Sequence, residues 1–235
     1  MNLAFFDVDY TLYKGFTTIQ FFYAFANKYH LTDLITERKQ MEAEIEAGTI
    51  DQHRLTQWSM GLSAKVVAGL SVEEVAAQVR TTVKAEGEFF PWAMDLLEFL
   101  RKKQFKIYLI SASIEPMIAE IATELGVERY FSTILEVKDG VYTGQRANVR
   151  NGQSKLDALN QVIDEISEEN NVIAFGDSDG DVPMLAAADI GFVVDPIEYS
   201  DKILAAATEH GWPVLKHETA FEQVRQALES EFSIK

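Results

Sequence analysis

The residues best suited to chemistry in this sequence are polar side chains that directly follow short apolar runs. Each run is rich in branched and aromatic residues and too short for a helix, which is typical of a buried parallel strand. The runs are Leu3–Phe6, Lys106–Ile110, Val172–Phe175 and Ile190–Val194. The polar residues that come after the first three runs are Asp7, Asp9, Ser111 and Asp177. Because the carboxyl ends of parallel strands lie at one edge of a sheet, the sequence predicts that these side chains face one crevice.

Carboxylates gathered in one crevice repel one another unless a cation neutralises them. An acid-rich site with only oxygen ligands favours a hard ion, above all Mg²⁺. Asp177, Asp179 and Asp181 resemble the start of an EF-hand calcium loop. That loop needs Gly at its sixth position and Glu at its twelfth, where this chain has Val182 and Ala188. The calcium-loop interpretation therefore fails, and the site is expected to hold magnesium.

Helical patterns alternate with the predicted strands. The predicted helices are Ala93–Lys102, Glu115–Leu125, Ser154–Ile166 and Val182–Ala188, with two more near Tyr199–Glu209 and Thr219–Glu229. Asp139-Gly140 lies between two strand-like segments and predicts a β-hairpin turn. Strands that alternate with helices in this way predict an α/β fold with a doubly wound, mostly parallel, Rossmann-like sheet.

Residues 14–86 break the alternation, because only helical patterns occur there. Turn signals near Asn27–Thr32, Gly48–Asp51 and Gly69–Ser71 divide this segment into four helices. Ser71, with Glu74 three residues later, forms a capping box that predicts the start of the last helix. We therefore predict an α/β core of residues 1–13 and 87–235, interrupted after its first strand by a four-helix cap of residues 14–86.

The composition excludes several other classes of protein. The chain has 235 residues, 47% of them hydrophobic, and its 21 basic and 37 acidic residues give a net charge of −16. Such a charge repels phosphate backbones and anionic membranes, so neither nucleic acid nor a membrane is expected as a partner. The absence of cysteine excludes disulfides, thiolate catalysis and sulfur-ligated zinc or iron–sulfur sites.

We expect a cytoplasmic location for the protein. No apolar stretch approaches the ~18 residues of a membrane span. The first ten residues lack the basic segment of a signal peptide. The sequence indicates no particular oligomeric state.

The polar residues form an ordered set along the chain. In chain order they are Asp7, Asp9, Thr11, Ser111, Lys155, Asp177 and Asp181. This set resembles the four motifs of the haloacid dehalogenase superfamily, specifically its phosphoserine phosphatase-like branch, over nearly the whole chain. The predicted cap falls between the first and second motifs, where that branch carries its cap.

The resemblance implies a Mg²⁺-dependent phosphomonoesterase that hydrolyses a small phosphorylated metabolite through an aspartyl-phosphate intermediate. Two alternatives stay open. One is a phosphotransferase that passes the phosphoryl group to an acceptor alcohol. The other is a catalytically idle module that binds metal or phosphate.

The resemblance also implies a role for each residue. Asp7 would be the nucleophile, and Asp9 the general acid and base. Mg²⁺ would be held by the carboxylates of Asp7 and Asp177 and by the backbone carbonyl of Asp9. Asp181 would orient Lys155 or water at the metal. The expected phosphate-binding residues are Thr11 and Ser113, together with Ser111 and Lys155, which are also expected to be catalytic.

Two departures from the family pattern concern specificity, and a third, at Ser178 and Gly180, leaves the metal-site residues Asp177 and Asp181 unchanged. Phosphoserine-specific members carry a Glu that binds the substrate's amino group where this chain has Gly15-Phe16-Thr17. The second motif is Ser111-Ala112-Ser113 in place of the usual Ser-Gly-Gly, and Ser178 and Gly180 replace the usual Gly and Asn. We therefore expect an enzyme that is not specific for phosphoserine.

Two features of the cap allow different interpretations of the rest of the substrate. The cap's first helix is unusually aromatic, with Phe16, Phe21, Phe22, Tyr23, Phe25 and Tyr29 in or beside it. These rings could form a cage for an ammonium group, as in phosphocholine or phosphoethanolamine, or the apolar interior of a bundle, which we favour. Arg54 could bind a substrate carboxylate or a second phosphate, or simply be solvated.

Overall fold

A parallel sheet lies at the centre of the molecule. The computed structural model describes residues 1–49, 52–148, 150–166, 170–195 and 201–231. The strands in these ranges are β1 (Asn2–Phe6), β2 (Phe105–Ile114), β3 (Arg129–Lys138), β4 (Val141–Asn148), β5 (Asn171–Gly176), β6 (Ile190–Val194) and β7 (Val214–Leu215). Their order is β4-β3-β2-β1-β5-β6-β7, and all described neighbours pair in parallel except β3 and β4.

Helices cover the sheet and fill the segment between β1 and β2. They are α1 (Thr17–Lys28), α2 (Thr32–Glu46), α3 (Gln52–Lys65), α4 (Val72–Glu86), α5 (Pro91–Lys102), α6 (Glu115–Leu125), α7 (Gly152–Asp164), α8 (Val182–Ala186), α9 (Asp201–His210) and α10 (Ala220–Glu231). The predicted fold class is confirmed, with α1–α4, here called the cap helices, inserted after β1. The domain boundaries at residues 13/14 and 86/87 stay a prediction.

The composition of β1 explains its central position. Its residues Leu3–Phe6 are fully buried, because helices cover both faces of the sheet. Ala4 and Phe6 pack in a core that includes residues of α5, α6 and the cap helices, whereas Leu3 and Phe5 pack with residues of α7, α8 and α9. Alternate residues of β1 thus pack into the two cores, because successive side chains of a strand point to opposite faces of the sheet.

The position of β1 creates a crevice at the carboxyl edge of the sheet. β1 pairs with β2 on one side and with β5 on the other, and the chain crosses over in opposite directions to reach them. Loops that diverge from neighbouring strand ends leave room for a ligand at this point of a doubly wound sheet. The residues that follow β1 and β5, and the end of β2, therefore surround one crevice.

The β3–β4 hairpin connects the core to the cap helices. Asp139 and Gly140 both have positive φ (52° and 79°), as a two-residue type I′ turn needs. The Gly69 N–H donates to the Tyr142 carbonyl at 2.9 Å, and the Val72 N–H donates to the Gly140 carbonyl at 3.0 Å. The loop between α3 and α4 is therefore held by backbone hydrogen bonds to a part of the chain some seventy residues later.

A local signal explains the start of α4. The predicted capping box is present, since Ser71 Oγ accepts from the Glu74 N–H at 3.2 Å and Glu74 Oε2 accepts from the Ser71 N–H at 2.9 Å.

Two predicted features reach beyond the described residues. The helix predicted near Tyr199 begins, within the described residues, at Asp201; Tyr199 lies outside them, as does Asp51 of a predicted turn. Among the described residues, no helix is both long enough and apolar enough to cross a membrane.

Candidate active site

A tight turn after β1 positions the first two carboxylates. The Asp7 N–H donates to the Phe175 carbonyl at 3.0 Å, which continues the pairing of β1 with β5. The Val8 carbonyl then accepts from the N–H groups of Thr11, Leu12 and Tyr13 at 3.2, 2.9 and 2.9 Å. The chain is thereby folded back at once, so Asp7 and Asp9 both line the same cavity at the edge of the sheet.

Lys155 reaches Asp7 from the first turn of α7. A capping box starts this helix, since Asn151 Oδ1 accepts from the Ser154 N–H at 3.1 Å and Ser154 Oγ accepts from the Asn151 N–H at 2.6 Å. The Lys155 side chain is buried, and its Nζ donates to Oδ1 of Asp7 and to Oδ1 of Asp181, each at 2.6 Å. Burial opposes the charge of Lys155, but Asp181 and Asp7 outweigh it and raise its pKa, so the ammonium stays charged.

Asp181 lies close against the end of β5. Its Oδ2 accepts from the N–H and the Oγ of Ser178, at 3.1 and 2.9 Å, while its Oδ1 is bonded to Lys155. A Cβ at Gly176 would lie 2.4 Å from the Cβ of Asp181, so only glycine fits there. Both carboxylate oxygens of Asp181 thus accept hydrogen bonds from other residues of the protein. This arrangement suits a residue that orients Lys155.

Three buried carboxylates form a cluster that fits a cation. Oxygen atoms of Asp7, Asp177 and Asp181 lie within 4.8 Å of one another. Burial raises the pKa of Asp7 to about 6 despite the opposing charge of Lys155, and burial together with Asp7 raises the pKa of Asp177 well above its ordinary value. Such a donor set consists of oxygens only and carries more negative charge than Lys155 neutralises. These residues therefore fit Mg²⁺, with Asp7 and Asp177 as the available carboxylate ligands.

Asp9 forms a hydrogen bond to the first cap helix. Its Oδ1 accepts from the Thr17 N–H, at the start of α1, at 3.1 Å. Burial and the charge of Asp7 raise the pKa of Asp9 to about 7. A carboxyl group with such a pKa can hold a proton near neutral pH and release it to a substrate.

The serines at the end of β2 both line the cavity. Ser111 Oγ accepts from the Ser113 N–H at 3.1 Å. The Ser113 hydroxyl lies 2.6 Å from the hydroxyl of Thr17 and 2.9 Å from that of Thr18, so it also bonds to α1. The next residue, Ile114, is the N-cap of α6.

Thr11, predicted as a phosphate-binding residue, lies elsewhere. It is fully buried, and its hydroxyl donates to Oδ1 of Asp177 at 3.3 Å. It is not among the described residues that line the cavity. Its position suits the orientation of Asp177 more than contact with a substrate.

The cavity measures about 200 Å³ and lies between the sheet edge and the cap helices. Its core-side wall includes Asp7, Asp9, Ser111, Ala112, Ser113, Lys155, Asp177 and Ser178. Its cap-side wall consists, among the described residues, of Phe16, Thr18, Ile19, Arg38, Ser59 and Met60. The structure therefore places all of the predicted strand-end residues, Asp7, Asp9, Ser111 and Asp177, around one cavity.

The cap-side wall differs from what the sequence suggested. Of the six aromatic residues that could form an ammonium cage, Phe16 lines the cavity. Phe21, Phe22 and Phe25 are fully buried in the apolar core, which favours the bundle-interior interpretation for these three rings. Arg54 is exposed and does not line the cavity.

The arginine that lines the cavity is Arg38, which sequence reasoning missed. Its segment of α2 is polar and alternates in charge, and nothing in that pattern signals a buried guanidinium.

Comparisons with known proteins agree with this geometry. The sequence model of the haloacid dehalogenase-like hydrolase family matches residues 4–186, and the chain belongs to that family. A Mycobacterium tuberculosis protein named a probable phosphatase is 28% identical over 220 residues, covering 90% of this chain and 74% of the relative. A phosphoserine phosphatase of the same organism is 24% identical over 240 residues, covering 98% and 76%.

Solved structures show the same fold. A protein of unknown function from Bordetella pertussis Tohama I superimposes with a TM-score of 0.76 at 22% identity, covering 92% of this chain and 98% of that one. A substrate-bound phosphoserine phosphatase superimposes with a TM-score of 0.65 at 18% identity, covering 96% and 97%. The predicted superfamily is confirmed, and so is the enzyme class, a phosphoric monoester hydrolase.

Proposed function

We propose that this enzyme hydrolyses a small phosphorylated metabolite by way of a phosphoryl group carried on Asp7. The observation that carries the proposal is that Asp7, Lys155 and Asp177 lie at one wall of the same cavity, with Asp9 beside them. Relatives named as phosphatases support the reaction class. The cavity of about 200 Å³ supports a small substrate, because sites for drug-sized ligands usually exceed ~300 Å³.

In the first step, an oxygen of Asp7 attacks phosphorus, forming a P–O bond while the bond to the leaving oxygen breaks. Lys155 keeps one oxygen of Asp7 in place and contributes fixed positive charge. Asp9 gives its proton to the leaving oxygen, so that an alcohol departs. The hydroxyl of Ser111 and nearby N–H groups hold the phosphoryl oxygens.

In the second step, water attacks phosphorus and the bond to Asp7 breaks, which releases inorganic phosphate. Asp9, now ionised, takes the proton from the attacking water and returns to its starting state. Mg²⁺, held by Asp7, Asp177 and the Asp9 carbonyl, would supply charge that lets a phosphate dianion approach a carboxylate. Asp181 and Thr11 act as positioning residues, toward Lys155 and Asp177 respectively.

The test is the substitution Asp7→Asn, with Asp95→Asn on the exposed face of α5 as the matched control. We expect Asp7→Asn to lower kcat for p-nitrophenyl phosphate by about a thousandfold or more, because the nucleophile is lost. The control should keep wild-type turnover. Circular dichroism would verify that both variants fold. Near-normal turnover by a folded Asp7→Asn protein would contradict the assignment of the nucleophile.

A further inference from the structure

The cap-side wall of the cavity contains a buried cation. Arg38, on α2, is only 3% exposed. Its Nε donates to Oε1 of Glu42 at 2.8 Å, and its Nη1 donates to the hydroxyl of Ser59 at 3.2 Å. Arg38 and Ser59 both line the cavity that contains Asp7.

The guanidinium has more donors than its neighbours use. It presents N–H groups on three nitrogens, and the described residues accept from two of them. The hydroxyl of Ser59 accepts from Arg38 and keeps its own hydrogen free to donate. The two residues together form a donor-rich group next to the space where a leaving group would lie.

The charges around the cavity are divided between its two walls. The carboxylates that line it, Asp7, Asp9 and Asp177, all belong to the phosphoryl site. Glu42 forms an ion pair with Arg38, but it is not among the described lining residues, and its side chain is 39% exposed. Within the described part of the chain, the cap-side wall thus offers a cation and hydroxyls but no carboxylate.

We propose that the leaving group of the substrate bears a second anionic group, a carboxylate or a phosphate, which accepts hydrogen bonds from Arg38 and Ser59, and that it bears no ammonium group. The proposal rests on the proposed function, since it concerns the far end of the same substrate. An anion satisfies the buried guanidinium through charge-assisted hydrogen bonds. An ammonium group would meet Arg38 with no carboxylate on that wall to bind it, which disfavours phosphoserine and phosphoethanolamine alike.

A matched panel of esters tests the proposal on the wild-type enzyme. Phosphoglycolate carries a carboxylate and propanediol bisphosphate carries a second phosphate, whereas glycerol phosphate has no further charge. Phosphoethanolamine carries an ammonium group, and phosphoserine carries both a carboxylate and an ammonium group. We expect kcat/KM for one of the two purely anionic esters to exceed that for glycerol phosphate by about 10- to 100-fold. Phosphoethanolamine should be the poorest substrate. The better of the two anionic esters identifies the anion.

Substitution of Arg38 links this preference to the residue. Arg38→Met should bring the ratio of kcat/KM for the preferred anionic ester over glycerol phosphate close to one, mainly through KM. Arg38→Lys, which keeps the charge but loses the planar fork, should retain part of the ratio. The control Arg80→Met, at an exposed arginine of α4, should keep the ratio of the wild type. If Arg38→Met does not fold, Ser59→Ala should still lower the ratio.

The outcomes separate the two proposals. Equal kcat/KM for anionic, neutral and ammonium esters, in an enzyme that still hydrolyses p-nitrophenyl phosphate, would overturn the inference and leave the proposed function standing. Loss of hydrolysis on every ester would instead count against the proposed function. In that case calorimetric titration with the anionic esters decides the inference: it is supported if Arg38→Met weakens binding about tenfold or more, and overturned if it does not.

Discussion

Asp9 shows how the surroundings of a single residue set its chemistry. A leaving alkoxide needs a proton, and an ordinary carboxyl group has lost its proton long before neutral pH. Burial and the charge of Asp7 raise the pKa of Asp9 to about 7, while the Thr17 N–H holds its Oδ1. Asp9 is thus suited to donate a proton in one step and accept one in the next.

Asp9→Asn should affect two kinds of ester differently. The variant keeps the backbone carbonyl but cannot transfer protons, so turnover of an alkyl phosphate should fall by about 10²–10⁴-fold. Nitrophenolate leaves without a proton, so p-nitrophenyl phosphate should still phosphorylate Asp7. Stopped-flow absorbance should then show a burst of at most one equivalent of nitrophenolate, followed by slow hydrolysis.

The burst is the discriminating observation, because Asp9 would act separately in each half of the reaction. Equal losses for the alkyl and aryl esters, without a burst, would indicate that Asp9 does not protonate the leaving group. Asp95→Asn again serves as the control that should leave both rates unchanged.

At the scale of elements, the start of α1 depends on residues of the active site. Phe16, at the N-cap of α1, provides no side-chain cap. Instead, the Thr17 N–H bonds to Asp9, and the hydroxyls of Thr17 and Thr18 bond to Ser113. The first cap helix is therefore connected to the ends of β1 and β2 by the same groups that line the cavity.

Ser113→Ala should destabilise the protein although it changes only one hydroxyl. The hydroxyls of Thr17 and Thr18, both buried, would lose their shared partner, and we expect a loss of about 1–3 kcal/mol in the free energy of unfolding. Urea denaturation measures this loss. Ser230→Ala, at an exposed serine of α10, should change stability by less than about 0.5 kcal/mol. A Ser113→Ala protein as stable as the wild type would show that these hydroxyl contacts do not hold α1.

At the scale of the whole molecule, the carboxylate cluster couples stability to pH and to metal. The pKa values of Asp7 and Asp9 lie at about 6 and about 7 in the folded protein, above their ordinary value of 3.8. Between pH ~4 and pH ~7 the folded state therefore binds more protons than the unfolded state. Without metal, the contribution of these groups to stability is present at low pH and is lost as pH rises through about 4 to 7.

Mg²⁺ should reverse this trend, because it binds the carboxylates that protons otherwise occupy. The increase in Tm on addition of Mg²⁺ should be small near pH ~5 and larger near pH ~8. Differential scanning calorimetry with and without a chelator measures it. Because a chain of net charge −16 also attracts Mg²⁺ non-specifically, Asp177→Asn is the control, and it should lose most of the increase. An increase that is the same at every pH would argue against metal binding at the cluster.

Much of the fold could be predicted because its signals are local. The strand Ile190–Val194 and the helix Glu115–Leu125 have the predicted bounds. A fully buried strand is an apolar run in any context, and the helix has Pro116 in its first turn and Gly126 at its C-cap with a φ of 61°. Local sequence does not signal β7, since its two residues form a strand only by pairing with β6.

The sequence by itself determined the order of strands and helices apart from β7, the place of the insertion, and the residues at the carboxyl ends of the strands. These properties depend on neighbours a few positions away. Only the tertiary structure decided that Thr11 bonds to Asp177, that Ser113 joins α1, and that Arg38 faces the cavity. The reason is physical: which side of a polar helix becomes buried, and which hydroxyl meets which partner, depends on contacts between segments far apart in the chain.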